Sequence, residues 1–206
     1  MTEYERMRLG RIYDCMDAEL GKAQAESRRL CEVYNALGAD DGEQKQALLR
    51  QMFPGQDFGR FRTLEAPIYL DNIREIRIGK NFYANIYFSF IAGGQVEIGD
   101  NVFVGPFCTL ATGIHSLLAE ERRLTVDEDG SLHDFEYGRS IRIGNDVWIA
   151  SNVTICGGVT IGDGSVIGAG SVVTKDIPAG VLAFGNPCRV QRALTAQDSM
   201  YLRAQR

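Results

Sequence analysis

The sequence predicts a mainly β protein, folded as a parallel β-helix with an N-terminal α-helical cap and one protruding loop. The main observation is an aliphatic residue at every sixth position in the C-terminal half, a spacing that fits neither an amphipathic helix nor a half-buried strand. A small residue follows each of these positions, whereas the N-terminal part carries helix signals instead. The aliphatic positions are Ile143, Ile149, Ile155, Ile161, Ile167 and Val173.

The N-terminal part predicts three helices. Thr2 followed by Glu5 forms a capping box that starts the first helix. Asp17 caps a longer second helix with an apolar stripe at helical spacing. A third helix spans roughly Gly42 to Phe53 and ends before a Pro-Gly pair. Three short helices can bury only a thin core of their own. We therefore expect residues 1–60 to cover an adjoining surface as a cap.

The repeat of six residues predicts a coil over residues 61–190. Each repeat forms a short strand and a corner, and three repeats close a triangular turn of about eighteen residues. The repeats in 72–114 and 139–180 would give about five turns, stacked about 4.8 Å apart. The segment 116–138 between them is densely charged and predicts a loop thrown out from one corner. Residues 191–206 are expected to form a C-terminal tail with a short helix.

Composition narrows the class of protein. The chain has 206 residues, 45% hydrophobic and 24% charged, which is typical of a soluble globular protein. A net charge of −5 argues against a nucleic-acid partner. Five cysteines without pairing spacing fit reduced thiols, and neither a secretory signal nor a long apolar run is seen. We therefore expect a cytoplasmic protein with no membrane partner.

The aliphatic positions belong to the core, so function has to come from residues that break the pattern. The chain has two histidines. His115 is at the last coil position before the charged loop, and His133 is inside that loop. A lone histidine is more often a surface residue than a catalyst, but loops on a rigid scaffold are where sites concentrate. Their location at the charged loop therefore makes a function more plausible than for an ordinary surface histidine, although His133 could be merely solvated in the loop.

Several motifs resemble those of the maltose/galactoside O-acetyltransferases, which are hexapeptide-repeat acyltransferases. The likeness covers about residues 2–190, and its motifs together are far more specific than the repeat alone. It implies a left-handed parallel β-helix and a homotrimer, with acetyl-CoA as cosubstrate in clefts between subunits. The motifs are NFYAN at 81–85, IGDNV at 98–102, the histidine after TLATGI, FEYGRSIRIGNDVWIA at 135–150 and VIGAGSVVTKDIPAGVLAFGNPCRV at 166–190.

The resemblance also implies roles for individual residues. His115 matches the catalytic histidine, while Asn85 and Asp71 match acceptor-binding positions. Asn85 could instead be a corner residue with positive φ, and Trp148 could be either a platform for the sugar or cofactor or a packing residue. The late basic residues could be ordinary surface charges. Positions that match the CoA site are Ser151, Ala169, Thr174, Lys175, Arg189 and Arg192.

Acetyl transfer to a hydroxyl requires a base, and an imidazole titrates close to neutral pH. We expect His115 to take the acceptor proton and return it to the CoA sulfur, with Glu136 as a candidate to orient the ring. A backbone N–H near Ser151 is the candidate oxyanion donor implied by the resemblance. No metal and no enzyme nucleophile is expected, and the cysteines of the coil are assigned to packing.

The chain departs from the family pattern in three places. Ser116 follows the histidine where the family has proline, Gly93 stands where many sugar acetyltransferases have aspartate, and the charged loop is longer. These departures leave the acceptor open, so a xenobiotic acetyltransferase of the streptogramin type remains an alternative. A γ-type carbonic anhydrase would need three histidine ligands, and a non-enzymatic β-helix scaffold would not bind acetyl-CoA.

Overall fold

The computed structural model describes residues 1–57, 59 and 63–203, with the predicted helices in place. Thr2 and Glu5 form both hydrogen bonds of the capping box, and Asp17 accepts from the N–H groups of Glu19 and Leu20. None of the helices in these ranges is long and apolar enough to cross a membrane. The helices are α1 (Glu3–Arg8), α2 (Ala18–Asn35), α3 (Gly42–Met52) and α4 (Met200–Arg203), with 3₁₀ turns at Ile73–Glu75 and Ala196–Asp198.

The parallel β-helix is confirmed, with its strands stacked in register on three faces. The first face holds β4 (Ile76–Ile78), β7 (Val96–Ile98), β14 (Ile141–Ile143) and β17 (Thr160–Ile161). The second holds β2 (Thr63–Leu64), β5 (Tyr83–Ala84), β8 (Phe103–Val104), β15 (Trp148–Ile149), β18 (Val166–Ile167) and β20 (Val181–Phe184). The third holds β3 (Ile68–Leu70), β6 (Phe88–Ile91), β9 (Thr109–Ala111), β16 (Thr154–Cys156) and β19 (Val172–Val173).

The coil is longer than the predicted five turns. Among the described residues its second face has six parallel strands, and β21 (Arg189–Ala193) adds to that face antiparallel to β20. The extra turn is at the start, where Leu64 and Leu70 are buried and six residues apart. Glu65 and Asp71 follow them, so the small-residue signal of the later repeats is missing there.

The cap closes the open end of the coil. Tyr34 of α2 donates its hydroxyl to the carbonyl of Leu64 at 2.6 Å. Asn35 both donates to and accepts from the backbone of Ile68, at 2.9 and 2.8 Å, as a neighbouring strand would. Buried side chains of the cap, such as Leu49, are continuous with the core of the coil. The helices thus pair and bury a strand edge that would otherwise be exposed.

The charged segment leaves the coil after β10 (Gly113–Ile114) and returns as β13 (Phe135–Gly138). Between them β11 (Thr125–Val126) and β12 (Leu132–His133) form a hairpin. β13 pairs on one side with β10 and on the other with β1 (Tyr13–Asp14) from the cap. The predicted loop is therefore tied at its base into a three-stranded sheet that joins cap and coil.

The base of this loop is closely packed around three glycines. A Cβ placed on Gly93 would lie 2.3 Å from Gly113 Cα, and one on Gly138 would lie 1.4 Å from the carbonyl oxygen of Gly93. Contacts this short with backbone atoms cannot be relieved by moving a side chain. The aspartate that the resembled family often has at position 93 therefore has no room here.

Candidate active site

One corner of the coil carries several of the predicted site residues. We define the third corner as the place where the chain leaves the third face. Leu70, Phe90 and Leu110 are stacked there in register, and Ile155 and Val173 continue the stack. Asp71 directly follows β3, and Thr174 and Lys175 directly follow β19, whereas His115 follows β10, which comes after β9 of this face. The third corner thus carries an acceptor candidate on an early turn and two cofactor candidates on a late turn, and between these turns the chain leaves the coil through β10 to reach His115.

His115 is held beside Glu136 by the three-stranded sheet. Ile114 pairs with Tyr137, so the next position in this register sets His115 opposite Glu136. Nε2 of His115 lies 3.6 Å from Oε2 of Glu136. Glu136 in turn pairs with Tyr13, whose hydroxyl donates a short hydrogen bond to Oε1. Three strands from distant parts of the chain therefore align a histidine, a carboxylate and a tyrosine in one row.

The carboxylate of this row is buried and the imidazole is not. The side chain of Glu136 is 12% exposed and that of His115 is 53% exposed. Burial raises the pKa of Glu136, while the hydrogen bond from Tyr13 and the nearby His115 act in the opposite direction. Burial and the bond to Glu136 also raise the pKa of Tyr13, which keeps its hydroxyl protonated as a donor. The row therefore places a mostly buried carboxylate beside a solvent-accessible imidazole.

A small polar cavity of about 50 Å³ lies behind Glu136. Asp71 lines it and is bound by Arg28, whose Nε and Nη2 donate to Oδ1 at 3.2 and 3.0 Å. Cys15 also lines it, but burial raises the pKa of this thiol to about 12, so it is protonated and a poor nucleophile. The other lining residues are Met7, Tyr13, Leu20, Gln24, Asn72 and Ala92.

The remaining acceptor and cofactor candidates lie elsewhere on the coil. Asn85 and Ser151 are at the corner that follows the second face, and Ala169 is there too. Trp148 projects from the second face and is 55% exposed. The full width of the third face separates these residues from His115 within one chain. The fold of a single chain therefore does not bring these candidates to His115.

Asn85 does not have the alternative role considered for it. The described non-glycine residues with positive φ do not include Asn85. Its Oδ1 accepts a hydrogen bond from the N–H of the next residue, Ile86, at 2.8 Å. The residues with positive φ are Asn81, Tyr87, Asn101, Phe107, Asp146 and Asn152.

The cofactor candidates near the C-terminal end of the coil differ in their exposure and in their contacts. Thr174 and Lys175 are exposed, and Lys175 makes no salt bridge with any residue in the described ranges. Arg189 is exposed and donates to the carbonyl of Cys188. Arg192 is taken up by Asp198, with both of its Nη atoms donating to the carboxylate at 2.7 and 2.6 Å. Of these cations, Lys175 and Arg189 are the ones available to an anionic ligand.

His133 is partly exposed, but it is not merely solvated in the loop. Its Nδ1 lies 2.6 Å from Asp14 and its Nε2 lies 3.1 Å from Asp127. The hydrogen bond with Asp14 raises the pKa of His133, and the charge of Asp127 adds to this. His133 therefore ties the hairpin of the charged loop to β1 of the cap.

Two features were missed by sequence reasoning. Tyr13 pairs with a residue 123 positions away, and no local pattern indicates that contact. Asn72 lines the cavity from the end of β3, in a turn whose strand the repeat did not reveal. Within the ranges that the structure covers, no group of three His, Cys, Asp or Glu side chains could hold a metal ion.

A hexapeptide β-helix closed by an N-terminal helical cap is the architecture that the resemblance to hexapeptide-repeat acyltransferases implies. Two family models match: "Bacterial transferase hexapeptide (six repeats)" over residues 140–175 and "Maltose acetyltransferase hexapeptide capping motif" over residues 6–55. The galactoside O-acetyltransferase of Escherichia coli (strain K12) is 39% identical over 201 residues, covering 98% of this chain and 94% of that protein. The chain belongs to the family of galactoside and maltose O-acetyltransferases, and the resemblance is confirmed.

Solved structures agree with this assignment. A maltose O-acetyltransferase from Clostridium difficile 630 is 39% identical, with a TM-score of 0.85 over 95% of this chain and 98% of the other. A galactoside acetyltransferase in complex with coenzyme A is also 39% identical, with a TM-score of 0.85 over 96% of this chain and 94% of the other. The likeness therefore includes the cap as well as the coil.

Proposed function

We propose that this chain transfers an acetyl group from acetyl-CoA to a hydroxyl of a sugar or a similar small acceptor, with His115 as the general base. The observation that carries the proposal is the half-exposed imidazole of His115 with its Nε2 3.6 Å from a buried carboxylate of Glu136. The relatives named above are galactoside and maltose acetyltransferases, which supports a sugar acceptor.

The proposed mechanism requires one proton shuttle. His115 removes the proton from the acceptor hydroxyl while that oxygen bonds to the acetyl carbonyl carbon. The carbon–sulfur bond then breaks, and the proton on the imidazole passes to the departing sulfur. Among the described residues Nδ1 of His115 has no hydrogen-bond partner, so it is the nitrogen available to the acceptor. Glu136 stabilises the imidazolium that forms between the two steps.

Acetyl-CoA fits the third corner above His115. Ala111, Cys156 and Thr174 occupy successive rungs there, so Thr174 lies roughly 10 Å along the coil axis from Ala111, which is four residues before His115. Lys175 and Arg189 are exposed cations that can bind phosphate. Arg192 would have to leave Asp198 to reach the same phosphates, so we assign it the weaker role.

The proposal includes a homotrimer with sites between subunits. Ser151, Ala169, Asn85 and Trp148 are remote from His115 within one chain, so a neighbouring subunit has to supply them. The second face also exposes an apolar row, in which Phe103 is 47% exposed and lies beside Tyr83 with ring centroids 6.1 Å apart. Sedimentation equilibrium should give three times the 22.8 kDa chain mass. A monomer at micromolar concentration would rule out shared sites.

A xenobiotic hydroxyl, such as that of a streptogramin, is the second candidate acceptor. It is favoured by Gly93, whose backbone packing leaves no acidic side chain at a position where sugar acetyltransferases often have one. The deciding experiment measures thiol release from acetyl-CoA with a panel of sugars and antibiotics, using wild-type protein and His115→Ala. Release that needs neither an acceptor hydroxyl nor His115 would overturn the proposed function.

A further inference from the structure

Asn72 has a buried amide oxygen with no hydrogen-bond partner. The residue follows β3 at the third corner and precedes the 3₁₀ turn Ile73–Glu75. It is 4% exposed, and within the described ranges its Oδ1 has no partner. Buried polar atoms in folded proteins are almost always paired, and exceptions call for a bound water or ligand. Oδ1 of Asn72 is therefore a hydrogen-bond acceptor in need of a donor.

The surroundings of Asn72 indicate what kind of donor fits. It lines the cavity of about 50 Å³ that also contacts Asp71 and Glu136. A water-sized group needs about 10–15 Å³ of such volume, so the cavity has room for a hydroxyl or hydroxymethyl group and not for a sugar ring. Both carboxylates are acceptors already engaged on one oxygen, Asp71 by Arg28 and Glu136 by Tyr13. The cavity therefore presents acceptors to a small, neutral donor.

The cavity is connected to the reacting centre through one side chain. Glu136 lines the cavity, and its Oε2 is the oxygen that faces His115. The cavity and the histidine therefore share Glu136, which puts the cavity one side chain away from His115. We propose that Asn72 is a specificity-determining residue, whose Oδ1 accepts a hydrogen bond from an acceptor hydroxyl other than the one that is acetylated. This inference rests on the proposed function.

The test combines variants of Asn72 with deoxy acceptors. Asn72→Leu removes the oxygen and keeps the branched shape of the side chain, and Asn72→Ser is smaller but keeps an oxygen. Thiol release is measured with methyl galactoside and maltose and with their monodeoxy derivatives. In wild type, the loss of one hydroxyl that is not acetylated should lower kcat/KM by roughly tenfold. In Asn72→Leu, kcat/KM for the parent sugar should fall to the level that wild type shows with the deoxy derivative, and kcat/KM for the deoxy derivative should not change. In Asn72→Ser, part of the difference between the two sugars should return.

The outcomes separate the two proposals. If wild type acetylates neither sugar, both the proposed function and the role of Asn72 are overturned. A second result is that wild type acetylates both sugars with a kcat/KM that no single deoxy position changes, and a third is that Asn72→Leu lowers kcat/KM equally for every acceptor. In either case only the role of Asn72 is overturned. An Asn72→Leu protein that does not fold leaves the wild-type deoxy series and Asn72→Ser to decide, since a wild-type enzyme indifferent to every second hydroxyl contradicts the inference by itself.

Discussion

Tyr13 and Glu136 are register partners across β1 and β13, and the tyrosine hydroxyl donates to the carboxylate whose other oxygen faces His115. The cap is therefore part of the candidate active site as well as a cover for the core. Tyr13 is 3% exposed, so the bond is shielded from water and more effective than one at the surface. Its position makes Tyr13 a positioning residue for the histidine–carboxylate pair.

Replacing His115 by alanine should lower turnover by about 10²–10⁴, the usual contribution of a positioned general base. The KM for acetyl-CoA should change little, because the lost interaction is made in the transition state. The matched control is His133→Ala, which removes the other histidine and its contact with Asp14 but none of the side chains of Tyr13, Glu136 and His115. Steady-state kinetics of both variants decide the matter: full activity of His115→Ala would refute the mechanism.

Replacing Tyr13 by phenylalanine should shift the acid limb of the pH–rate profile to higher pH. Burial already raises the pKa of Glu136, and the bond from Tyr13 opposes that rise. Without the hydroxyl the pKa rises further, so Glu136 becomes protonated at a higher pH and no longer supports the imidazolium. Activity should therefore fall more at pH 6 than at pH 8.

Glu136→Gln is the control for this shift. It should reduce turnover less than His115→Ala and abolish the part of the acid limb that belongs to the carboxylate. An identical profile for wild type and Tyr13→Phe would mean that the hydroxyl does not act through Glu136.

Introducing aspartate at position 93 should destabilise the protein and should not improve acceptor binding. A Cβ on Gly93 meets the backbone of Gly113 at 2.3 Å, so the strands have to move apart. Overpacking of this kind costs about 1–3 kcal/mol or more. The free energy of unfolding in urea measures it, with Gly21→Ala as a control, since a Cβ on Gly21 meets nothing within 4 Å. A stable Gly93→Asp protein with a lower acceptor KM would contradict the packing argument.

The stabilising contribution of His133 should depend on pH. The hydrogen bond with Asp14 raises its pKa in the folded protein, Asp127 contacts the same ring, and Asp129 interacts with it electrostatically. The contribution is therefore fully present below about pH 6.5, the unperturbed value, and is lost as the pH rises through the raised folded pKa. The difference in Tm between wild type and His133→Gln should be larger at pH 6 than at pH 8.5. Equal differences at both pH values would show that the proton on His133 is not involved.

Removing Lys175 and Arg189 together should raise the KM for acetyl-CoA by roughly tenfold or more, because charge-assisted hydrogen bonds to phosphate would be lost. The KM for the acceptor should change much less. Arg142→Ala is a suitable control, since this exposed arginine on the first face pairs with Glu97 and is not a cofactor candidate. An unchanged KM for acetyl-CoA would show that Lys175 and Arg189 do not bind the phosphates of the cofactor.

The sequence by itself determined the coil and most of the cap, and it singled out His115 as the candidate base. A period of six with small corner residues is a local constraint, because each anchor has to point inward and each corner has to pass close to its neighbour. Helix caps such as Thr2 and Asp17 are equally local. The first turn was missed because Glu65 and Asp71 occupy the positions where later repeats have small residues.

The tertiary structure alone decided how the candidate site is supported. The pairing of Tyr13 with Glu136 joins residues 123 positions apart, and the clamp between His133 and Asp14 joins residues 119 apart. No local sequence pattern predicts either contact, because the antiparallel pairing of β1 with β13 depends on how the cap packs against the base of the loop. The orphaned oxygen of Asn72 is likewise a property of packing: the same asparagine exposed to water would be hydrogen-bonded by solvent and would indicate no subsite.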